Sequence, residues 1–153
     1  MKPRCDESGF TLLEIVCVLA IIALLAAIAL PAFPRGTSRT RLEALAVATA
    51  SVLQSDRNAA MRRGVVISTG INTLARTIQS GASAGRVQVP SDVAFSALLP
   101  DSCNQRPAGS TISFFASGLS CGGAVSLSRL GATFEIRVAW LTGGVEIVPK
   151  KTF

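Results

Sequence analysis

The chain contains no histidine and no tyrosine, only 5% aromatic residues and only 16% charged residues over 153 positions. Each shortage excludes something. Without His, the commonest general base and nitrogen metal ligand is missing, so His-dependent triads and His-containing zinc sites are impossible. Soluble domains carry roughly 25% charged residues, so a chain this poor in charge must include a part that water does not favour. Disorder is excluded in turn, because 49% of the residues are hydrophobic and disordered chains are apolar-poor and charge-rich. The length suits one domain, or a small domain with an appendage. The composition argues against most enzymes, and no cofactor is implied.

What is abundant sits at one end. From Ile15 to Leu30 the sequence reads IVCVLAIIALLAAIAL, without a charged or strongly polar residue. Extended back to Phe10, the run as a helix would rise about 31 Å, matching a hydrocarbon core of about 30 Å. A buried core helix is the plainer alternative, but a segment apolar on every face needs a larger protein to wrap it. A cleaved secretory signal is a stronger rival, with Lys2 and Arg4 as a basic start and Ala27-Ile28-Ala29 as a cleavage-like site. Against it, Asp6 and Glu7 dilute the basic start, and Glu14 sets a carboxylate inside the apolar run. A charge in the bilayer is costly, so Glu14 either snorkels to the headgroups or has a function. Counting cations, Arg35, Arg39 and Arg41 after the run outnumber Lys2 and Arg4 before it, which alone favours a cytoplasmic C-terminal part.

Gly9-Phe10-Thr11-Leu12-Leu13-Glu14, after a short charged leader and before a long apolar run, resembles the class III signal of type IV pilin-like proteins. The resemblance implies cleavage by the prepilin peptidase after Gly9, removing residues 1–9, and N-methylation of Phe10. It also implies that Glu14 pairs with a neighbouring subunit's N-terminal amine during filament assembly, which recovers desolvation cost and sets register between helices. It places the protein in the inner membrane as a single-pass subunit with its C-terminal domain in the periplasm.

Pro31, Pro34 and Gly36 should interrupt the helix as it leaves the lipid. Leu42, Leu45, Ala46, Thr49, Val52, Leu53 and Ala60 then resume a helical spacing through Arg63, with Gly64 as C-cap and Arg62-Arg63 suited to a helix C-terminus. The organisation predicted is therefore a leader over 1–9, a transmembrane segment over 10–33, an amphipathic helix over 34–63 and a β-domain over 64–153. Short β-rich runs are expected at Val65–Ser68, Arg86–Val89, Val93–Ala97, Thr111–Phe115, Ala124–Ser128, Thr133–Trp140 and Gly144–Val148. In the sixth, Phe134, Ile136, Val138 and Trp140 share one face, and Leu141–Gly144 turns it into a C-terminal hairpin. Ile71–Gly85 reads ambiguously, as a strand followed by a Gly/Ser loop. The fold class predicted is α+β: a long N-terminal helix packed on an antiparallel β-domain.

With Cys5 in the leader and Cys17 in the apolar run, Cys103 and Cys121 are the only soluble cysteine pair. In a domain exported to an oxidising compartment a disulfide is favoured over two free thiols, and its closed loop would add about 3 kcal/mol by chain entropy. Two thiols with no His and no CxxC cannot complete a metal site. Gly118-Leu119-Ser120-Cys121-Gly122 matches the hydrolase nucleophile elbow literally, yet lacks a following helix and a His, so it reads as a glycine-rich turn. Gly81-Ala82-Ser83-Ala84-Gly85 lacks the lysine and helix of a phosphate loop. Asp92, Asp101, Glu135 and Glu146 show no paired-carboxylate spacing. The net charge of +6 could support DNA binding, but the cations are dispersed, with Lys150-Lys151 a short basic tail, and such a surface is usually a solvated face.

A second resemblance narrows the family. Arg57-Asn58-Ala59-Ala60-Met61-Arg62-Arg63-Gly64, Ile112-Ser113-Phe114-Phe115 with Ser117-Gly118, Gly122 to Leu127, and Val138 to Gly143 are similar to the GspH/FimT pseudopilins. That implies a minor pseudopilin near the tip of a type II secretion pseudopilus, a building block supporting protein export. Its partners would be other pseudopilins, the prepilin peptidase and inner-membrane lipid. Two alternatives stay open: a FimT-like minor pilin of a type IV pilus that binds DNA for uptake, and a single-pass membrane protein that is never processed.

Overall fold

Helix α1 spans Leu12–Ala29 and helix α2 spans Arg39–Arg63 in a computed structural model that describes residues 11–29 and 36–151. The chain divides into two units, Met1–Arg35 and Gly36–Phe153. Gly9, Phe10, Pro31 and Pro34 lie outside the described residues.

In the first unit, α1 starts at Thr11, whose backbone carbonyl and hydroxyl both accept the Glu14 N–H, at 3.0 and 3.3 Å. Thr-Leu-Leu-Glu has the residue pattern of a capping box, and Glu14 places negative charge in the first turn, where the helix dipole favours it. No helix among the described residues is long and apolar enough to cross a membrane; the 18 residues of α1 rise about 27 Å.

In the second unit, Ser38 caps α2 by accepting the Arg41 N–H, and Gly64 ends it in left-handed backbone (φ 66°). Leu42, Ala46, Thr49, Leu53, Asp56, Ala59 and Ala60 form its buried stripe, close to the stripe the spacing predicts. A fully buried Leu or Ile contributes about 1.5–3 kcal/mol by leaving water, which outweighs the weak intrinsic preference of such a sequence for helix.

Among the described residues ten strands follow: β1 (Ile67–Asn72), β2 (Thr77–Gln79), β3 (Arg86–Gln88), β4 (Ala94–Leu98), β5 (Ser102–Cys103), β6 (Arg106–Pro107), β7 (Thr111–Phe114), β8 (Gly123–Arg129), β9 (Ala132–Val138) and β10 (Val145–Lys151). They pair antiparallel in two four-stranded sheets, ordered β3-β2-β1-β7 and β10-β9-β8-β4, with β5-β6 a separate small ribbon. Helix α2 packs against strands of both large sheets. Ile67, Ile71, Ile78, Ile112 and Phe114 from one sheet join Val125, Leu127, Phe134, Ile136 and Val138 from the other in one core with Leu42 and Leu53. This is the α+β arrangement of a helix on an antiparallel β-domain.

Three sequence expectations need correction. Strand β9 stops at Val138, not Trp140: Ala139 N–H bonds the Gly144 carbonyl and Gly143 N–H the Ala139 carbonyl, closing a turn. Trp140 therefore leaves the core face and is 69% exposed. The ambiguous Ile71–Gly85 stretch holds the end of β1 and all of β2 before its Gly/Ser loop. Lys150-Lys151 is the end of β10 rather than a tail, in register with Thr133 and Ala132.

Candidate functional site

Glu14 is the only charged residue of α1. It is exposed, and its carboxylate has no hydrogen-bond or ion-pair partner among the described residues. The helix around it exposes Leu12, Leu13, Ile15, Val16 and the aliphatic residues beyond. Taken out of water into lipid or among apolar helices, such a carboxylate would call for a pairing cation.

The second unit is bound together by polar contacts at two consecutive residues of α2, Asp56 and Arg57, and at Thr37 just before the helix. In the C-terminal half of the helix, Asp56 is fully buried and accepts from Thr69 Oγ1 (2.6 Å), Ser80 Oγ (2.5 Å), and the Gly81 and Ala82 N–H groups (2.9 and 3.2 Å). The Gly/Ser loop that imitates a phosphate loop thus wraps the protein's own carboxylate. Gly81 permits this approach, since a Cβ there would meet the Ser68 carbonyl at 2.3 Å. Asp56 was not singled out from the sequence, though its place three residues after Leu53 and four before Ala60 puts it on the buried stripe.

The next residue, Arg57, donates to the Gly118 carbonyl (3.2 Å) and the Thr142 carbonyl (3.0 Å), joining two loops. Gly143 makes the junction possible, with φ at 62° and space so tight that a Cβ would lie 2.0 Å from the Gly118 carbonyl. Beside it, Cys103 and Cys121 form a disulfide with Cα atoms 5.6 Å apart. The bridge lines a groove of about 770 Å³ with Val66, Phe115, Leu119, Trp140 and Leu141. Within the elbow-like sequence, Ser120 is buried and donates to the Ala139 carbonyl, and a strand, β8, follows.

Where the unit begins, Thr37 donates through its N–H (2.7 Å) and hydroxyl (3.0 Å) to Asp92, and Arg129 meets Asp92 at 3.2 Å while also donating to the Thr37 carbonyl. These bonds, the Thr37 N–H first and Arg129 with them, hold the Asp92 carboxyl below the usual value of 3.8 against the opposing effect of partial desolvation. Glu135 is likewise held below 4.5, by Arg137 first and then Lys150. Lys150 is thereby engaged by Glu135. Among the described residues no group of three or more His, Cys, Asp or Glu side chains could hold a metal ion.

Known proteins resemble the chain in both units. Residues 4–30, which include Gly9, Phe10 and Glu14, match the family described as the prokaryotic N-terminal methylation motif. Over 150 residues the chain is 30% identical to type II secretion system protein H of Xanthomonas campestris pv. campestris, covering 97% of this chain and 88% of that protein. In fold it is similar to the minor pseudopilin EpsH from the type 2 secretion system of Vibrio cholerae, with TM-score 0.52 and 12% identity over 67% of this chain and 92% of that one. It is also similar to the type IV minor pilin FimU of Pseudomonas aeruginosa, with TM-score 0.55 and 15% identity over 76% and 96% of the two chains. Identities this low speak for the fold alone, whereas the 30% match extends over nearly the whole sequence. The chain belongs to the family of type II secretion system protein H.

Proposed function

We propose that the protein is a minor pseudopilin, a non-catalytic structural subunit near the tip of the type II secretion pseudopilus that supports protein export across the outer membrane. In this reading residues 1–9 are a leader removed by the prepilin peptidase after Gly9, and Phe10 is then N-methylated. Residues 10–33 anchor the subunit in the inner membrane as a single pass, with residues 34–63, which include α2 (Arg39–Arg63), and the β-domain over 64–153 in the periplasm. The basic residues Arg35, Arg39 and Arg41 oppose that orientation by count; the match of residues 4–30 to the methylation motif supports it.

The observation that carries the reading is Glu14 itself, a carboxylate without a partner among the described residues, in a helix whose described side chains are all exposed. In a filament both needs are met at once. Neighbouring apolar helices cover α1, and Ala20, Ala23 and Ala27 on one face allow close approach. The free N-terminal amine of an adjacent subunit meets Glu14, and breaking such a buried pair by removing one member costs about 3–5 kcal/mol. Glu14→Ala is therefore expected to leave the protein in the membrane fraction but to lower its recovery in sheared pseudopili about tenfold or more. Recovery at the wild-type level would refute the role assigned to Glu14. Protein export in a strain carrying only this variant should fall with it.

A further inference from the structure

Where the second unit begins, at Gly36, the surface carries features that folding alone does not require. The β8–β9 hairpin pairs Arg129 with Ala132 and turns on Leu130 and Gly131, whose φ angles are 48° and 76°. Such a turn suits Asn-Gly, Asp-Gly or Gly-Gly, since both positions need left-handed backbone. Here the first position is a leucine, and it is 89% exposed. It neither suits the turn nor adds to the core.

Cations lie near it. Arg39 and Lys150 line the same groove as Leu130, about 790 Å³ in volume, with Leu42, Phe134 and Pro149 as apolar walls. Arg41 lies on the other side of Thr37, beside Pro90. The acids of this region are mostly engaged: Asp92 by Arg129, and Glu135 by Arg137 and Lys150. Glu43, one helical turn beyond Arg39, is exposed. Arg39 and Arg41 make no ion pair among the described residues. In sequence, only residues 30–35 separate α1 from Gly36.

An exposed apolar tip on a face that also carries the unpaired Arg39 and, beyond Thr37, Arg41 matches a lipid surface: the leucine enters the boundary between headgroups and acyl chains, and the cations meet phosphates. We propose that Leu130, Arg39 and Arg41 dock the β-domain onto the surface of the anionic bilayer that holds α1, before the subunit is assembled. The inference rests on the reading of α1 as a membrane anchor. Docking would hold the subunits of the membrane pool in one orientation, and extraction into the filament would release the tip.

The chain supplies its own control. Trp140 is its only tryptophan, lies beside the groove at the far end of α2 from Gly36, and is exposed. The full chain is reconstituted in vesicles of phosphatidylcholine and phosphatidylglycerol in which a share of the lipid is brominated near the headgroup. The native indole of Trp140 should be little quenched, and the indole introduced by Leu130→Trp in a Trp140→Phe background should be strongly quenched. Arg39→Gln and Arg41→Gln in that background should each lower the ratio of docked to free protein about fivefold. Equal quenching in phosphatidylcholine alone overturns the part assigned to the arginines. A chain that resists alkaline extraction while its Leu130→Trp indole stays as unquenched as Trp140 overturns the proposal and leaves the anchor reading standing. A chain lost to alkaline extraction overturns both.

Discussion

In α1 the large aliphatic residues from Leu12 to Leu25 are between 48% and 83% exposed, whereas in α2 Leu42, Ala46, Leu53 and Ala60 are exposed by 1% or less. Both helices draw on leucine, valine and alanine. The difference lies in periodicity: α2 sets its apolar residues three and four apart and fills the rest with Arg, Glu, Ser and Gln, while α1 is apolar on every side. A striped helix can be satisfied by its own chain, and here two sheets cover the stripe. A helix without a polar side needs lipid or other helices, whichever protein it is attached to. The described helix of the first unit thus keeps its apolar surface uncovered, while the second unit covers its own helix stripe.

That contrast can be broken most severely at Asp56. Asp56→Ala leaves the Thr69 and Ser80 hydroxyls and the Gly81 and Ala82 N–H groups without their buried acceptor, and should cost the Gly36–Phe153 unit about 4 kcal/mol or more. Denaturant unfolding of the full chain in detergent measures it, and helical signal from α1 should survive the transition. Leu53→Ala should cost about 3 kcal/mol by the same assay, and Leu25→Ala in α1 close to nothing, because only the first opens a cavity. Equal losses from the two leucines would erase the distinction drawn between the helices. Replacing Cys103 and Cys121 together by Ser should cost about 3 kcal/mol or somewhat less, and reducing agent should reproduce the loss in the wild type only.

The smallest effect concerns pH. The Asp92 and Glu135 carboxyls are held below their ordinary values of 3.8 and 4.5. A group depressed on folding adds stability that is fully present above its unfolded value and is lost as pH falls through its folded value. Acid should thus loosen the Thr37–Asp92–Arg129 contacts only below those ordinary values, and Asp92→Asn should remove that part of the acid sensitivity. NMR titration of the two carboxyls checks the order of events.

Much of this was legible from residue spacing. The stripe from Leu42 to Ala60, the Gly64 cap and the β9–β10 hairpin follow from periods of 3.6 and 2 and from glycine, all of which act over a few residues. Trp140 was misplaced because alternation continues through Ala139-Trp140 on paper, while the hydrogen bonds of Ala139 with Gly143 and Gly144 end the ladder first. Asp56 shows the other kind of failure. Its position on the apolar stripe is visible, but the donors that satisfy it come from β1 and from a loop about 25 residues away, and no local pattern announces that meeting. Glu14 stands out for the opposite reason: no cation among the described residues meets it.

The central claim is that α1 is an assembly helix released from a leader, and the N-terminus of the membrane-extracted protein tests it most directly. Mass spectrometry should find a chain beginning at N-methylated Phe10, with residues 1–9 absent. A protein that begins at an unprocessed Met1 in a strain with an active prepilin peptidase would contradict it.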